Sequence, residues 1–152
     1  SELVDVVSIT RTQLAESGSA WMEKNQQLSF DSPEALQLRI NPAWLAIMIR
    51  NLIDNAIRYS PAGSSIQVRW LKGPEISLIV EDSGPGMNAL DMNRLGDRFF
   101  RVPGHDGTGC GLGWSILKRI SRICQIQIAV SKSEVLGGLK VQLTWPGESI
   151  SA

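Results

Sequence analysis

The chain has 152 residues with 15 acidic and 15 basic side chains, and a net charge of zero provides no basic field for nucleic acid. Its length suits one domain with a substantial core, and 43% hydrophobic against 20% charged residues is the balance of a soluble globular protein. No apolar run approaches the roughly 20 residues of a membrane span, no signal peptide is visible, and two cysteines, Cys110 and Cys124, cannot form a disulfide framework.

Leu3, Val6, Val7, Leu14, Trp21 and Met22 give a loose helical periodicity over residues 3–24, weak at Ser17-Gly18-Ser19. We expect residues 1–24 to be an N-terminal helix that can be the remnant of a linker, ahead of a single domain over 25–152. The start at Ser1, without Met, suggests a piece of something longer. Two alternating segments, Gln27–Asp31 and Leu36–Ile40, flank Asp31-Ser32-Pro33-Glu34, which reads as a hairpin turn. Asn41-Pro42 looks like an N-cap followed by proline in the first helical turn, opening a long helix that stops near Ser60-Pro61-Ala62-Gly63.

That helix carries an unusual row. Asn51 and Asn55 lie four residues apart on one side, and Arg58 and Tyr59 extend the stripe, while Leu45, Met48, Ile49, Leu52 and Ala56 face a core. Solvent-facing stripes ordinarily use Lys and Glu. Amides, a guanidinium and a phenol in one row suit a ligand wall. Asn55 offers a hard oxygen of the kind Mg²⁺ accepts, with most of the attraction left to phosphate charge.

Ile66, Val68 and Trp70 alternate with Gln67 and Arg69 as a half-buried strand. Lys72-Gly73-Pro74 turns the chain into a second strand through Ile76, Leu78 and Val80. This strand runs into Glu81-Asp82-Ser83-Gly84-Pro85-Gly86-Met87. A carboxylate at that rim accepts a hydrogen bond from an exocyclic amine such as that of adenine, and Gly84 and Gly86 let backbone approach a flat base. The same residues also read as a plain surface turn. After a weakly periodic stretch containing Arg98-Phe99-Phe100-Arg101, the cluster Gly107-Thr108-Gly109-Cys110-Gly111-Leu112-Gly113 opens a helix with Ile116, Leu117, Ile120 and Ile123. Free N–H groups and the helix dipole suit phosphates there, although glycines at such junctions also serve as caps. No Lys-Ser/Thr pair follows Gly113, so this is no Walker loop. Strands at Ile126–Ser131 and Leu139–Trp145, the second after Gly137-Gly138, close the chain. Helices on one face of a mixed, mostly antiparallel sheet make an α/β two-layer sandwich.

Taken together, Asn-Leu-Ile-Asp-Asn-Ala-Ile-Arg-Tyr-Ser-Pro from Asn51, Glu-Asp-Ser-Gly-Pro-Gly-Met from Glu81, Asp-Arg-Phe-Phe-Arg from Asp97 and Gly-Thr-Gly-Cys-Gly-Leu-Gly from Gly107 resemble the catalytic ATP-binding domain of bacterial sensor histidine kinases. The resemblance covers residues 41–146 and implies the Bergerat-type ATP-binding fold. It implies that Asn51, Arg58 and Arg101 serve phosphoryl transfer and that Asn55 binds Mg²⁺. It assigns Arg58 to phosphate, Tyr59 to the adenine edge and Asp82, Gly84 and Gly86 to base recognition. Phe99 and Phe100 would anchor a mobile lid carrying Arg101, though core packing explains a Phe pair equally well. Gly109, Gly111, Leu112 and Gly113 would bind phosphate. Cys110 and Trp114 stand where the family more often has an aliphatic and a small residue, and Leu139 replaces a common threonine. Related ATPases that split ATP with water carry glutamate at the position of Asn51.

The family's phosphoacceptor histidine is missing: His105, the single histidine, falls within the lid with no acidic helix to orient it. The resemblance therefore implies a protein-histidine kinase fragment that binds ATP and Mg²⁺ and passes the γ-phosphoryl group to a helical hairpin of the parent kinase. A cognate response regulator would be the further partner. The short lid looks like that of transmembrane sensors paired with winged-helix regulators. The fragment would then be the monomeric, cytoplasmic part of a homodimer anchored in an inner membrane. A non-catalytic nucleotide-responsive module is the alternative, and an ATPase clamp of the gyrase or chaperone kind a more distant one.

Overall fold

The computed structural model describes residues 2–94 and 112–147. Phe99, Phe100, Arg101, His105, Gly109, Cys110 and Gly111 lie outside them. The elements run β1 (Glu2–Asp5), α1 (Val6–Glu16), α2 (Gly18–Glu23), β2 (Gln27–Asp31), β3 (Gln37–Ile40), α3 (Pro42–Tyr59), β4 (Ser65–Lys72), β5 (Ile76–Asp82), α4 (Ala89–Arg94), α5 (Leu112–Cys124), β6 (Gln127–Lys132) and β7 (Leu139–Trp145). Five strands form one sheet in the order β2-β4-β5-β7-β6, parallel only between β2 and β4. β1 and β3 form a separate antiparallel pair. This is the expected α/β sandwich with a mixed, mostly antiparallel sheet.

Alternation decides which face of the sheet takes the helices. Ile66, Val68 and Trp70 of β4 are buried while Gln67 and Arg69 are half-buried, and β7 repeats the pattern with Leu139, Val141, Leu143 and Trp145. β5 lies between these two strands and is buried along its whole length. Register then sets the core pairs: Val80 opposes Val68 on one side and Val141 on the other, and Ile76 opposes Trp145. α3 lies against β5 and touches α1 and α5. Its Leu45, Met48, Ile49, Leu52, Ile53, Ala56 and Ile57 are all buried, at the three- and four-residue spacing of one helical face. Truncating Leu52 to Ala would cost about 2–5 kcal/mol through lost contacts and a cavity.

Helix ends follow from local chemistry. Asn41 Oδ1 accepts hydrogen bonds from the N–H of Ala43 (2.9 Å) and Trp44 (3.2 Å), and Pro42 opens α3 where no N–H partner is needed. Asp5 caps α1 by accepting from the N–H of Val7 (3.0 Å) and Ser8 (3.2 Å).

Two expectations are corrected. Asp31–Glu34 is not a hairpin turn, because β2 pairs with β4 and β3 with β1. Pro33 lacks an N–H and disfavours helix at the residue before it, and the link leads from one sheet to the other. Nor is the N-terminal segment helical from its start: residues 2–5 form a strand, and Asp5 starts the helix. Val4, Val6 and Val7 join the common core, and Thr10 of α1 accepts a 2.8 Å hydrogen bond from Trp70 Nε1. The weak spot at Ser17 is the break between α1 and α2. Among the described residues, no helix is long and apolar enough to cross a membrane.

Candidate nucleotide site

β5 delivers Asp82 to the rim of the sheet, where the residue is 5% exposed. Oδ1 accepts hydrogen bonds from the backbone N–H of Gly84 (3.0 Å) and Leu139 (3.2 Å). Among the described residues both of these bonds fall on Oδ1, which leaves Oδ2 for a ligand. Burial raises the carboxyl pKa above its ordinary value, and the two backbone donors pull it partly back.

The glycines around Asp82 are there for want of space. A Cβ on Gly138 would collide with Asp82 Oδ1 and the Asp82 carbonyl, and would lie 2.8 Å from the Gly84 nitrogen. Gly138 also donates its N–H to the Asp82 carbonyl at 3.0 Å. A Cβ on Gly84 would press on Asp82 Oδ1 at 3.1 Å and on the end of α3 at 3.3 Å, and Gly86 takes a φ of +72°. The β6–β7 turn is held in turn by Ser133, whose Oγ donates to buried Glu81 at 2.7 Å. The other Glu81 oxygen takes Arg69 at 3.0 Å.

The polar row of α3 divides between three tasks. Asn55 and Tyr59 line a closed slot of about 10 Å³ together with Asp82, Trp114, Val80 and Leu139. Arg58 instead borders an open cavity of about 630 Å³ with Lys24, Ser60, Ser83 and Gly84. Its guanidinium donates to Asn55 Oδ1 at 3.4 Å, while Asn55 Nδ2 is buried without a partner. Asn51 reaches neither space. Its Nδ2 donates to the Gly113 carbonyl at 3.3 Å, and a Cβ on Gly113 would sit 3.3 Å from Asn51 Oδ1, so the first asparagine ties α3 to the start of α5. Leu112 begins α5.

Three contributors are not apparent from the motifs. Lys24 Nζ donates to the carbonyls of Ile57 and Ser60, both at 2.7 Å, and Gln26 Nε2 to the same pair at 3.1 and 2.9 Å. These bonds satisfy the open carbonyls at the C-terminus of α3, beside Arg58 and Tyr59. Burial lowers the Lys24 pKa from the ordinary lysine value. Gly138 is the third. A Gly-Gly pair before a strand is a signal for close approach, but nothing in the sequence names Asp82 as what is approached.

The slot fits an adenine base in donor set: one buried carboxylate with an oxygen that no described residue engages, aliphatic walls from α3, β5 and β7, and the rings of Tyr59 and Trp114. For Mg²⁺ the described residues offer the Asn55 carboxamide and no group of three or more metal-ligating His, Cys, Asp or Glu side chains. That matches an ion carried mainly by phosphates and water.

The family model described as "Histidine kinase-, DNA gyrase B-, and HSP90-like ATPase" matches residues 40–149. The chain is 39% identical over 104 residues, 68% of its length, to Sensor protein QseC of Escherichia coli (strain K12), and covers 22% of that protein. It is 31% identical over 145 residues, 94% of its length, to Sensor protein kinase PmrB of Pseudomonas aeruginosa, covering 30% of it. Thus the chain spans less than a third of the length of either relative. Among solved structures, the mycobacterial sensor histidine kinase MprB superposes with a TM-score of 0.83 at 22% identity, over 95% of this chain and 97% of the other.

Proposed function

The chain belongs to the histidine kinase-, DNA gyrase B- and HSP90-like ATPase family, and on that premise we propose that it is the ATP-binding catalytic domain of a two-component sensor histidine kinase. The observation that carries this reading is the meeting of Asn55, Tyr59, Asp82 and Trp114 around one slot. Asp82 accepts the exocyclic amine of adenine, and guanine, with a carbonyl there, leaves the buried carboxylate unmatched at a cost of about 1–3 kcal/mol.

The phosphates leave the slot along α3 toward Arg58, which reaches them from the open cavity that it shares with Lys24 and Gly84. Asn55 would hold the accompanying Mg²⁺ through the side-chain oxygen that Arg58 contacts in the free protein. Mg²⁺, when bound, supplies neutralisation of phosphate charge and polarisation of the γ-phosphoryl oxygens. We extend the phosphate contacts to Arg101, Gly109, Gly111, Leu112 and Gly113, and the lid anchors to Phe99 and Phe100. Asn51 offers no carboxylate to activate water, and its amide is engaged with Gly113, which argues against a hydrolase. The nucleophile is a histidine on a helical hairpin elsewhere in the parent protein. This domain contributes position and charge, and the phosphoryl group passes on to a response regulator. The parent is a membrane-anchored sensor dimer with this domain in the cytoplasm.

Calorimetry with ATP, ADP and GTP, with and without Mg²⁺, tests the reading. Expected are adenine preference, Mg²⁺ dependence of the ATP enthalpy and loss of that dependence in Asn55→Ala. Unchanged Mg²⁺-dependent ATP affinity in Asn55→Ala overturns the metal assignment. Transfer of label from γ-labelled ATP to the hairpin of the parent protein tests the kinase step, and absence of transfer favours a module that only responds to nucleotide.

A further inference from the structure

The base slot holds about 10 Å³, scarcely one water and far from a purine. Something has to give when a base enters, and the walls differ in their freedom to do so. Val80 and Asp82 sit on β5, which is paired on both sides, and Leu139 and Val141 on β7, likewise paired on both sides. Displacing them breaks ladder hydrogen bonds. Leu52, Asn55 and Ala56 belong to the buried part of α3, and Tyr59, its last residue, is half-buried and so does not fill the interior of the slot. Trp114 is different. It is the third residue of α5, in the first turn, where backbone N–H groups have no partner within the helix. It is 3% exposed, yet its indole Nε1 is buried without a hydrogen-bond partner. Trp70, by contrast, gives its indole N–H to Thr10. Trp21 and Trp145 also lack a partner, but neither borders the slot.

We propose that Trp114 is the movable wall of the base slot: its indole fills the slot in the free protein, turns aside as the purine enters, and then lies against the base with its N–H facing a ring nitrogen. This makes it a base-contacting residue that sets how readily nucleotide enters, and it rests on the reading that the slot takes adenine. A purine suits the exchange because its ring nitrogens are acceptors, whereas the indole N–H has no partner in the free protein. Asn51 Nδ2 ties α3 to the Gly113 carbonyl, one residue before the indole, so the backbone can stay anchored while the side chain turns.

The test uses the intact chain and ATP with Mg²⁺. Calorimetry first establishes whether ATP binds the unaltered protein; failure there overturns the adenine reading itself and with it this proposal. With binding established, ATP should change the tryptophan emission of the unaltered protein, and Trp114→Phe should bind ATP without that change. Trp114→Leu, with less side chain to displace, should take up ATP about tenfold faster in stopped flow if the filled state holds nine molecules in ten. Trp114→Phe keeps a ring in the core and serves where the leucine variant folds poorly. Emission that is blind to ATP, a signal that survives in Trp114→Phe, or an uptake rate unchanged in every folded variant overturns the proposal while leaving the adenine reading intact.

Discussion

The slot has two sides built on opposite plans. On the sheet side, Asp82 is fixed by Gly84, Leu139 and the carbonyl bond from Gly138, and two flanking strands lock its backbone. On the α5 side, the Trp114 indole is buried in the core with its nitrogen unpartnered, and Asn51 is tied to the helix one residue away. A side chain that distinguishes one base from another gains from being immobile, since every degree of freedom left to it blurs the distinction. A wall that admits a base gains from the reverse. On the proposed reading, discrimination and access fall to different elements, and substitutions on the two sides should fail in different ways.

The sharpest break of the fixed side is Gly138→Ala. The added methyl collides with the Asp82 carboxylate and backbone, so we expect about 3 kcal/mol of lost stability and no measurable ATP binding, read by thermal melting and calorimetry. A Gly138→Ala protein that melts and binds as before removes the premise that this rim is tightly packed. Next in size is Asp82→Asn, which leaves the fold in place and weakens ATP by about 2 kcal/mol, roughly thirtyfold, while narrowing the gap between ATP and GTP. Calorimetry on both nucleotides measures it. Lys24→Met loosens the C-terminus of α3 rather than the slot, lowering stability by about 1–2 kcal/mol. Gln26→Leu should act in the same direction, and because the two side chains share the carbonyls of Ile57 and Ser60, a double-mutant cycle should show non-additivity. Asn51→Ala costs about 1 kcal/mol in a melt by freeing the Gly113 carbonyl, a smaller effect than any at the Asp82 rim.

The mildest effect is in pH. Because burial raises the Asp82 pKa in the folded chain, the folded state holds that proton more tightly than the unfolded one. Its contribution to stability is therefore fully present below the unfolded value and is lost as pH rises through the folded value. ATP affinity runs the other way. The amine of adenine needs the ionised carboxylate, so binding weakens on acidification at a higher pH than for an ordinary aspartate. Asp82→Asn should flatten both trends, and calorimetry and melting over a pH series read them separately.

The parts of this site legible in the sequence are those in which chemistry and periodicity coincide locally. Asn55 and Tyr59 on one helical face, Asp82 between a strand and a glycine turn, and the alternation of Leu139 to Trp145 each announce themselves within a few residues. What escaped depends on partners distant in sequence. Gln27–Asp31 and Leu36–Ile40 alternate as strands should, but alternation says nothing of which strand pairs with which, and both found other neighbours. Asn51 shares a face with Asn55 yet is occupied by a carbonyl on another helix. Lys24 and Gln26 look like ordinary polar residues before a strand, and only the closed fold brings them to carbonyls on the far side of α3. Trp114 was visible as a departure from its relatives, while its place beside Asp82 required the packing of α5 on the sheet.

One consequence of the sheet order reaches beyond the site. β5 and β7 are hydrogen-bonded neighbours although everything from Ser83 to Gly138 lies between them in the chain. The entropy lost in joining the ends of so long an excursion rises only logarithmically with its length, about 0.6 kcal/mol for each doubling. That law holds only outside α5 and β6, which lie within the excursion and belong to the same core and sheet as β5 and β7. A change of length outside those two elements is therefore inexpensive for the frame around Asp82, and the number of residues between its two strands is open to evolution.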